Sequence, residues 1–555
     1  MKKLVSLFLV VALCLPMVLM ASAQTVYEGK GHGYGGELSL EVELDGDVIK
    51  DIRLLENHES SPVMNRAFPA IREIILQAQT PVVDSVSAAT FTSYAVKSAV
   101  AEALRKAGKE VEDIAFNTKG PQKDPVTLEA VHADIVIVGG GPAGLAAAIQ
   151  AKDAGVENVI LVEKLGILSG NGKFDMNFFD LINSQAQKDV GAEYTKDMFL
   201  DAKKEAGNTP ERLQVWADGA DELDAWLRSF GVELNYSYGG TNHMAEAEAY
   251  AGEEIQDGLE RRVKELGVDV RTETKGYDFV FDGDKVIGVK VQHKNESYDI
   301  LAGAVILATG GFSANKELLA KYAPGAETVE TSNQMGATGD FVPLFEKYGF
   351  KTQNMDVLSV FKLIIKTRRD LTGAGDGFLL VNEKGERFAD ESSSGLGLAH
   401  KILEQGKVFY VYDQPLYESF YRLKKHNELG YHTKAETLDD LAKALGVDAE
   451  NLKASVEGYN KGISGEAPDP FRAKPFTRAF AAEGPYYGVP VESAIHMTKG
   501  GVVADEKARV LNLEDQVVEG LYAAGEVTWV SGAYSAAVVF GRIAGQEAAK
   551  VVLAK

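Results

Sequence analysis

Asp134-Ile135-Val136-Ile137-Val138-Gly139-Gly140-Gly141-Pro142-Ala143-Gly144 decides how this chain folds. The unbroken apolar run Ile135 to Val138 reads as a strand buried on both faces, because a strand with one wet face would alternate. It enters a glycine turn directly; Leu145 to Ala154 is a helical stretch, and Val159 to Val162 is a second strand ended by Glu163. Strand, glycine turn, helix, strand, acid is the order that a Rossmann-type dinucleotide site needs. Gly139 serves the tight turn, Gly141 the close approach of backbone to a pyrophosphate, Gly144 the close packing of the helix, and Glu163 accepts ribose hydroxyls. The predicted class is α/β.

Three stretches follow in order: Ala308-Thr309-Gly310-Gly311-Phe312, Gly336-Ala337-Thr338-Gly339-Asp340 and Gly520-Leu521-Tyr522-Ala523-Ala524-Gly525-Glu526-Val527-Thr528. From about Ala133 onward the chain resembles the fumarate reductase and succinate dehydrogenase flavoprotein family. The likeness is strongest to its soluble branch, which includes flavocytochrome fumarate reductase and urocanate reductase. That resemblance implies a non-covalent FAD lined by Gly139, Gly141, Ala143, Gly144, Glu163, Ser169, Gly170, Asn171, Gly172, Ala308, Thr309, Gly310, Asp340, Glu526, Ala533 and Tyr534. It also implies a last helix, entered near Gly532 to Tyr534, whose amino end would stabilise the reduced flavin ring. The family inserts a mobile α+β cap domain between the two halves of its FAD domain, with the active site at their interface.

Before this, Leu38, Leu40, Val42 and Leu44 alternate up to the turn signal Asp45-Gly46, after which Val48 and Ile49 resume a return strand. Apolar residues recur at helical spacing from Tyr94 to Leu104, so Ser87 to Thr92 falls at a helix start. There Ser87, Thr90 and Thr92 suit helix capping, and free backbone amides suit a phosphate. The stretch Asp84-Ser85-Val86-Ser87-Ala88-Ala89-Thr90-Phe91-Thr92 also resembles the motif on which a flavin transferase esterifies FMN to a threonine. The whole segment from about Tyr27 to Gly108 is similar to the small α+β FMN-binding domain of bacterial flavin-linked reductases, with Ala88 where that family usually has glycine. Covalent FMN on Thr90 is the implied cofactor. The expected organisation is a leader at 1–23, an FMN-binding domain at 25–116, a linker at 117–130, a first FAD-domain part at 131–354, a cap at 355–475 and a second FAD-domain part at 476–555.

Lys2-Lys3, the apolar run Leu4 to Met20 and the small residues Ala21-Ser22-Ala23 read as a cleavable secretory signal, so a periplasmic or cell-surface location is expected. The single cysteine, Cys14, lies in that leader. A mature chain without thiols excludes disulfides, iron-sulfur clusters and cysteine-attached haem, and no metal site is expected. The formal net charge of -23 argues against nucleic acid and anionic lipid as partners.

Reducing an activated C=C bond needs hydride at one carbon, a proton at the other, and charge that stabilises the developing enolate. Against the family's pattern, the proton-donating arginine is replaced within Ser392-Ser393-Ser394-Gly395-Leu396-Gly397. Only His496 matches the first member of a histidine pair in Ile495-His496-Met497-Thr498-Lys499-Gly500-Gly501. The loop Trp529 to Tyr534 lacks a carboxylate-binding arginine, and Asp370-Leu371 stands where a Thr-Glu pair is usual. Losing these groups leaves a second substrate carboxylate uncompensated, which argues against fumarate. His496, Lys499, Tyr487 and Tyr534 are the proton-donor candidates. Phe174 and Trp529 suit an aromatic-lined substrate pocket, or ordinary core packing, and Arg368 and Arg369 could catch one carboxylate.

The expected function is an exported reductase that passes electrons from FMN through FAD to an unsaturated small organic acceptor, an arylacrylate-like enoate for instance, in respiration. Its partners would be a quinol- or flavin-based membrane donor and a flavin transferase. The alternatives are a dehydrogenase of a saturated substrate, as in related ketosteroid dehydrogenases, and a flavin electron carrier without small-molecule turnover.

Overall fold

The computed structural model describes residues 25–32, 37–57, 61–86, 89–112, 114, 125–168, 170–172, 179–204, 209–238, 242–246, 251–365, 370–373, 377–472, 478–528 and 534–554. The leader, Ser87, Ser169, Phe174, Arg368, Arg369, Trp529 and Ala533 lie outside the described residues. The chain forms two compact units, one drawn from residues up to Thr118, less 60–62 and 86–88, and one that holds residues 119–555.

In the first unit β1 (Thr25–His32), β2 (Glu37–Asp45) and β3 (Val48–Asn57) make an antiparallel sheet in that order. Asp45 pairs with Val48 across the expected turn, where Gly46 takes φ +63°. Leu38, Leu40, Val42 and Leu44 are buried, as a period of two on one covered face requires. Two helices follow, α1 (Ser61–Ala78) and α2 (Thr90–Lys106). The second lies directly on β1: a Cβ added to Gly29 or Gly31 would stand 1.9 Å from the carbonyl oxygen of Ala99 or Ala95. Only glycine lets helix and strand backbones approach so closely.

In the second unit β4 (Val131–Val138), α3 (Pro142–Asp153) and β5 (Val159–Val162) form the parallel strand–helix–strand crossover that the glycine motif predicts. Ile135 and Ile137 enter one apolar cluster and Val136 and Val138 another, so the uninterrupted run reflects burial on both faces. The sheet continues through β6 (Asp269–Arg271), β7 (Thr274–Asp282), β8 (Lys285–His293) and β9 (Glu296–Leu307) in the order β7-β8-β9-β4-β5-β6. Residues 305–307 of β9 also pair with 521–523. The last helix, α4 (Tyr534–Leu553), packs on α3 through Gly541 and Gly545, whose added Cβ atoms would each lie 2.3 Å from the carbonyl oxygens of Ala143 and Ala147.

The cap segment builds a second sheet from β10 (Leu358–Ile365), β11 (Phe378–Asn382), β12 (Val408–Asp413) and β13 (Tyr486–Thr498), in the order β10-β13-β12-β11. β13 pairs with β12 through residues 486–491 and with β10 through 491–498. One strand therefore carries the cap sheet past residue 475 and delivers His496 to the mouth of the nucleotide fold.

Candidate functional site

Gly139 sits at φ +114°, and a Cβ there would meet the Ala308 carbonyl oxygen at 2.2 Å. A Cβ on Gly144 would meet the Gly139 carbonyl oxygen at 1.9 Å. Both positions are closed to any other residue, so β4, α3 and the end of β9 converge on bare backbone. A cavity of about 620 Å³ opens there, lined by Gly139, Gly141, Ala143, Glu163, Ala308 and Gly310 among others. That size is in the range of cofactor pockets.

Glu163 ends β5 with both carboxylate oxygens engaged: Oε2 accepts from the Gly140 amide and Oε1 from the Leu165 amide, each at 2.8 Å. Burial pushes its pKa up, and the Leu165 and Gly140 amides pull it back. The lone pairs that remain can accept ribose hydroxyls. Asp340 also lines the cavity, but Lys164 at 2.6 Å and Lys275 at 2.9 Å take its charge. Burial would raise its pKa, yet those two ammonium groups hold it below the usual carboxylate range.

Asn171 joins both halves of the fold at the cavity. Its Oδ1 accepts the Gln334 amide at 3.0 Å, and its side chain bonds Glu526. Gln334 in turn donates through Nε2 to the Gly170 carbonyl. Glu526 Oε1 accepts the Thr498 amide at 3.0 Å and its hydroxyl at 3.3 Å, and burial pushes this carboxyl up to about 7. Gly311 makes room for the pair, since a Cβ there would lie 2.2 Å from Thr498 Oγ1 and 2.4 Å from Glu526 Oε1. These features fit a dinucleotide: a glycine cradle at a helix amino end, an acid at the strand end, and hydrogen-bonding groups farther along.

β10 and β13 supply the other wall. The His496 ring stacks on Phe361 with centroids 3.6 Å apart and planes inclined by 15°. Its Nδ1 lies 3.0 Å from Ser332 Oγ, a closer contact than the 3.5 Å from that hydroxyl to the Ile495 carbonyl. The shorter contact favours a Ser332 hydroxyl that donates to Nδ1, which leaves the ring proton on Nε2. Burial pushes His496 down to about 4, so the ring is neutral near pH 7.

Three lysines line the cavity. Lys164 pairs with Asp340 and Lys203 with Asp180, whereas Lys499 has no carboxylate partner among the described residues. No arginine lines the cavity among the described residues.

Tyr534 heads α4 at the cavity wall, edge-on to Phe179 at 5.2 Å, with its ring against Gly172. Tyr487 is not at this site. Its ring is buried in the cap core, stacked between Tyr412 and Tyr417 at 4.9 Å each, and its hydroxyl donates to Gln414 at 2.5 Å. Burial pushes that phenol up to about 12, so proton donation from Tyr487 loses its basis in the structure. Phe361, Ser332, Gln334 and Lys164 carry no motif that marks them in the sequence. Ser332-Asn333-Gln334, three polar residues just ahead of a glycine motif and buried in the structure, is a signal that points to Ser332 and Gln334 alone.

Thr90 is the first residue of α2, half-buried, and its hydroxyl makes no hydrogen bond among the described residues.

The FAD binding domain family matches residues 134–537, and the FMN-binding domain family matches 33–105. The chain belongs to the FAD-binding flavoprotein family of the soluble fumarate and urocanate reductases, with an FMN-binding domain at its amino-terminal end. It is 30% identical to the urocanate reductase of Eggerthella lenta over 94% of this chain and 92% of that one. Against the NADH:fumarate oxidoreductase of Klebsiella pneumoniae it is 32% identical over 93% of its length, but it spans only 57% of that relative. An NADH:acrylate oxidoreductase of Vibrio harveyi is 28% identical (95% and 61% covered), and a vinyl phenol reductase of Lactiplantibacillus plantarum is 27% identical (71% and 89% covered). The open conformation of a flavocytochrome c3 fumarate reductase superposes with a TM-score of 0.69 at 31% identity, covering 76% of this chain and 79% of that one.

Proposed function

We propose that this member of the family is a flavin-dependent reductase of the C=C bond of a small α,β-unsaturated substrate that bears at most one carboxylate. Electrons would enter at FMN esterified to Thr90 and pass to FAD. The carrying observation is the cation count: Lys499 is the only cavity lysine without a carboxylate partner, and no arginine joins it among the described residues. Two carboxylates in such a site would leave one charge buried and unpaired, at a cost of several kcal/mol.

FAD, when bound, supplies hydride to one carbon of the double bond. Gly139, Gly141, Glu163 and Gly310 would hold its dinucleotide part, and Asn171 and Glu526 the part nearer the cap strands. Lys499 anchors the substrate carboxylate. The neutral His496, fixed by Ser332 and by stacking on Phe361, donates from Nε2 to the oxygen on which enolate charge develops. Tyr534, at the cavity wall, is then the proton donor at the second carbon. Relatives named for acrylate, urocanate and vinyl phenol support a substrate outside the dicarboxylates. An arylacrylate fits the flat Phe361 and His496 wall. The leader pattern of residues 1–23 supports export, and with it a quinol- or flavin-linked membrane donor and a respiratory role.

The test is anaerobic oxidation of reduced viologen by the purified protein with acrylate, cinnamate, urocanate, vinyl phenol and fumarate in turn. A kcat/KM for a monocarboxylate above that for fumarate is the expected outcome, and a preference for fumarate rejects the reading.

A further inference from the structure

Lys97 is fully buried in the middle of α2. Lysine is among the residues least often found so, because desolvating an ammonium is costly unless it is hydrogen-bonded. Its Nζ donates to the Val83 carbonyl at 2.9 Å and contacts Ser85 Oγ at 3.0 Å. Burial lowers its pKa, and the charge of Asp84, exposed between those two partners, raises it again. Val96, Ala99, Val100 and Leu104 show that the same helix fills its core with apolar side chains. Packing alone therefore gives no reason for an ammonium here.

What the ammonium adds is a tie. It fastens the second turn of α2 to residues 83–85, the chain that leads into the helix, and α2 begins at Thr90 with no side-chain cap from Ala89. The segment between these ends is the flavin-acceptor stretch, so the tie fixes both of its flanks. We propose that Lys97 is a positioning residue for flavin attachment: it holds residues 83–85 to α2 so that Thr90 Oγ, uncommitted to any hydrogen bond among the described residues, is presented to a flavin transferase. The inference rests on the reading that Thr90 carries FMN. In the transfer the Oγ–H bond of Thr90 and the pyrophosphate P–O bond of a flavin dinucleotide break, and an Oγ–P phosphoester to the flavin mononucleotide forms. The adenine mononucleotide leaves, and the proton goes to a base on the transferase. No electrons are exchanged, and Lys97 takes no part in bond making; it removes conformational freedom from the nucleophile.

The experiment incubates the full chain with flavin transferase and FAD and follows covalent flavin by fluorescence after denaturation and by peptide mass. Lys97→Met keeps the length of the side chain and removes the donors. Its kcat for flavin incorporation should fall by about tenfold or more, with the KM for the chain and the thermal melt near those of the unsubstituted protein. Incorporation at the normal rate overturns the proposal. Should Lys97→Met fail to fold, Ser85→Ala, which deletes one of its partners, decides instead: a several-fold lower kcat supports the tie and an unchanged one rejects it. Failure of the underlying reading looks different, because then the unsubstituted chain takes up no flavin or carries it on a residue other than Thr90.

Discussion

Lys499 separates two chemistries at the level of one side chain. If it pairs with a substrate carboxylate, Lys499→Met should raise KM for an enoate with little change in kcat. The loss of one charge-assisted contact is about 1.5–3 kcal/mol, or roughly ten- to a hundredfold in kcat/KM. Turnover of vinyl phenol, which has no carboxylate, should change less than about threefold in the same variant. Steady-state kinetics on both substrates checks this, and an equal loss on both would place Lys499 in general binding rather than charge recognition. Residues whose role is dictated by backbone geometry are legible in the sequence: Gly139, Gly144 and Glu163 occupy the places that the motif assigns. Roles that depend on a partner distant along the chain are not. Asp340 lines the cavity, but its pairs with Lys164 and Lys275 are not visible in the sequence, and Tyr487 reads as a proton donor until Tyr412 and Tyr417 close over its ring.

The elements that carry the site are held by contacts with no spare room. Gly545→Ala would push a methyl to 2.3 Å from the Ala147 carbonyl and force α4 away from α3. Overpacking of this kind costs about 1–3 kcal/mol, and because α4 brings Tyr534 to the cavity, the variant should bind FAD more weakly as well as melt earlier. Thermal melts with and without added FAD measure both effects. The cap sheet holds a different constraint. The Tyr412 hydroxyl lies 2.6 Å from Nδ1 of His432, and burial, with His426 beside it, pushes His432 from 6.5 down to about 3. The unfolded chain therefore takes up a proton that the folded cap refuses between those values. This contribution is intact above pH 6.5 and is lost as the pH falls toward 3, at up to about 1.4 kcal/mol per unit. His432→Asn, which keeps an acceptor for Tyr412, should flatten the acid limb of stability by about one proton, measured by urea unfolding from pH 7 downward. The alternation of β2 and the two-sided burial of β4 are visible as sequence periods. The reach of β13 is not, since one strand that pairs with β12 along its first half and with β10 along its second has no break in composition where it changes partner.

At the scale of the whole molecule, the decisive quantity is the number of flavins. One unit has a half-buried threonine at a helix start, its hydroxyl uncommitted among the described residues, and the other has a glycine cradle with an acid at its strand end. If the first is the port through which electrons enter and the second the place where they are used, Thr90→Ala should divide the activities cleanly. The purified variant should contain one flavin per chain instead of two, and its denatured band should lose fluorescence. Its turnover with a small reductant that reaches FAD directly should stay within about twofold of normal, since no residue at the cavity has changed. Turnover with a flavin- or quinol-linked donor should fall by about tenfold or more. Equal turnover with both kinds of donor would mean that FAD is reduced without the first unit. A loss with both would mean that Thr90 supports the fold of the chain rather than its electron supply, and either result removes the reason for joining the two units in one polypeptide.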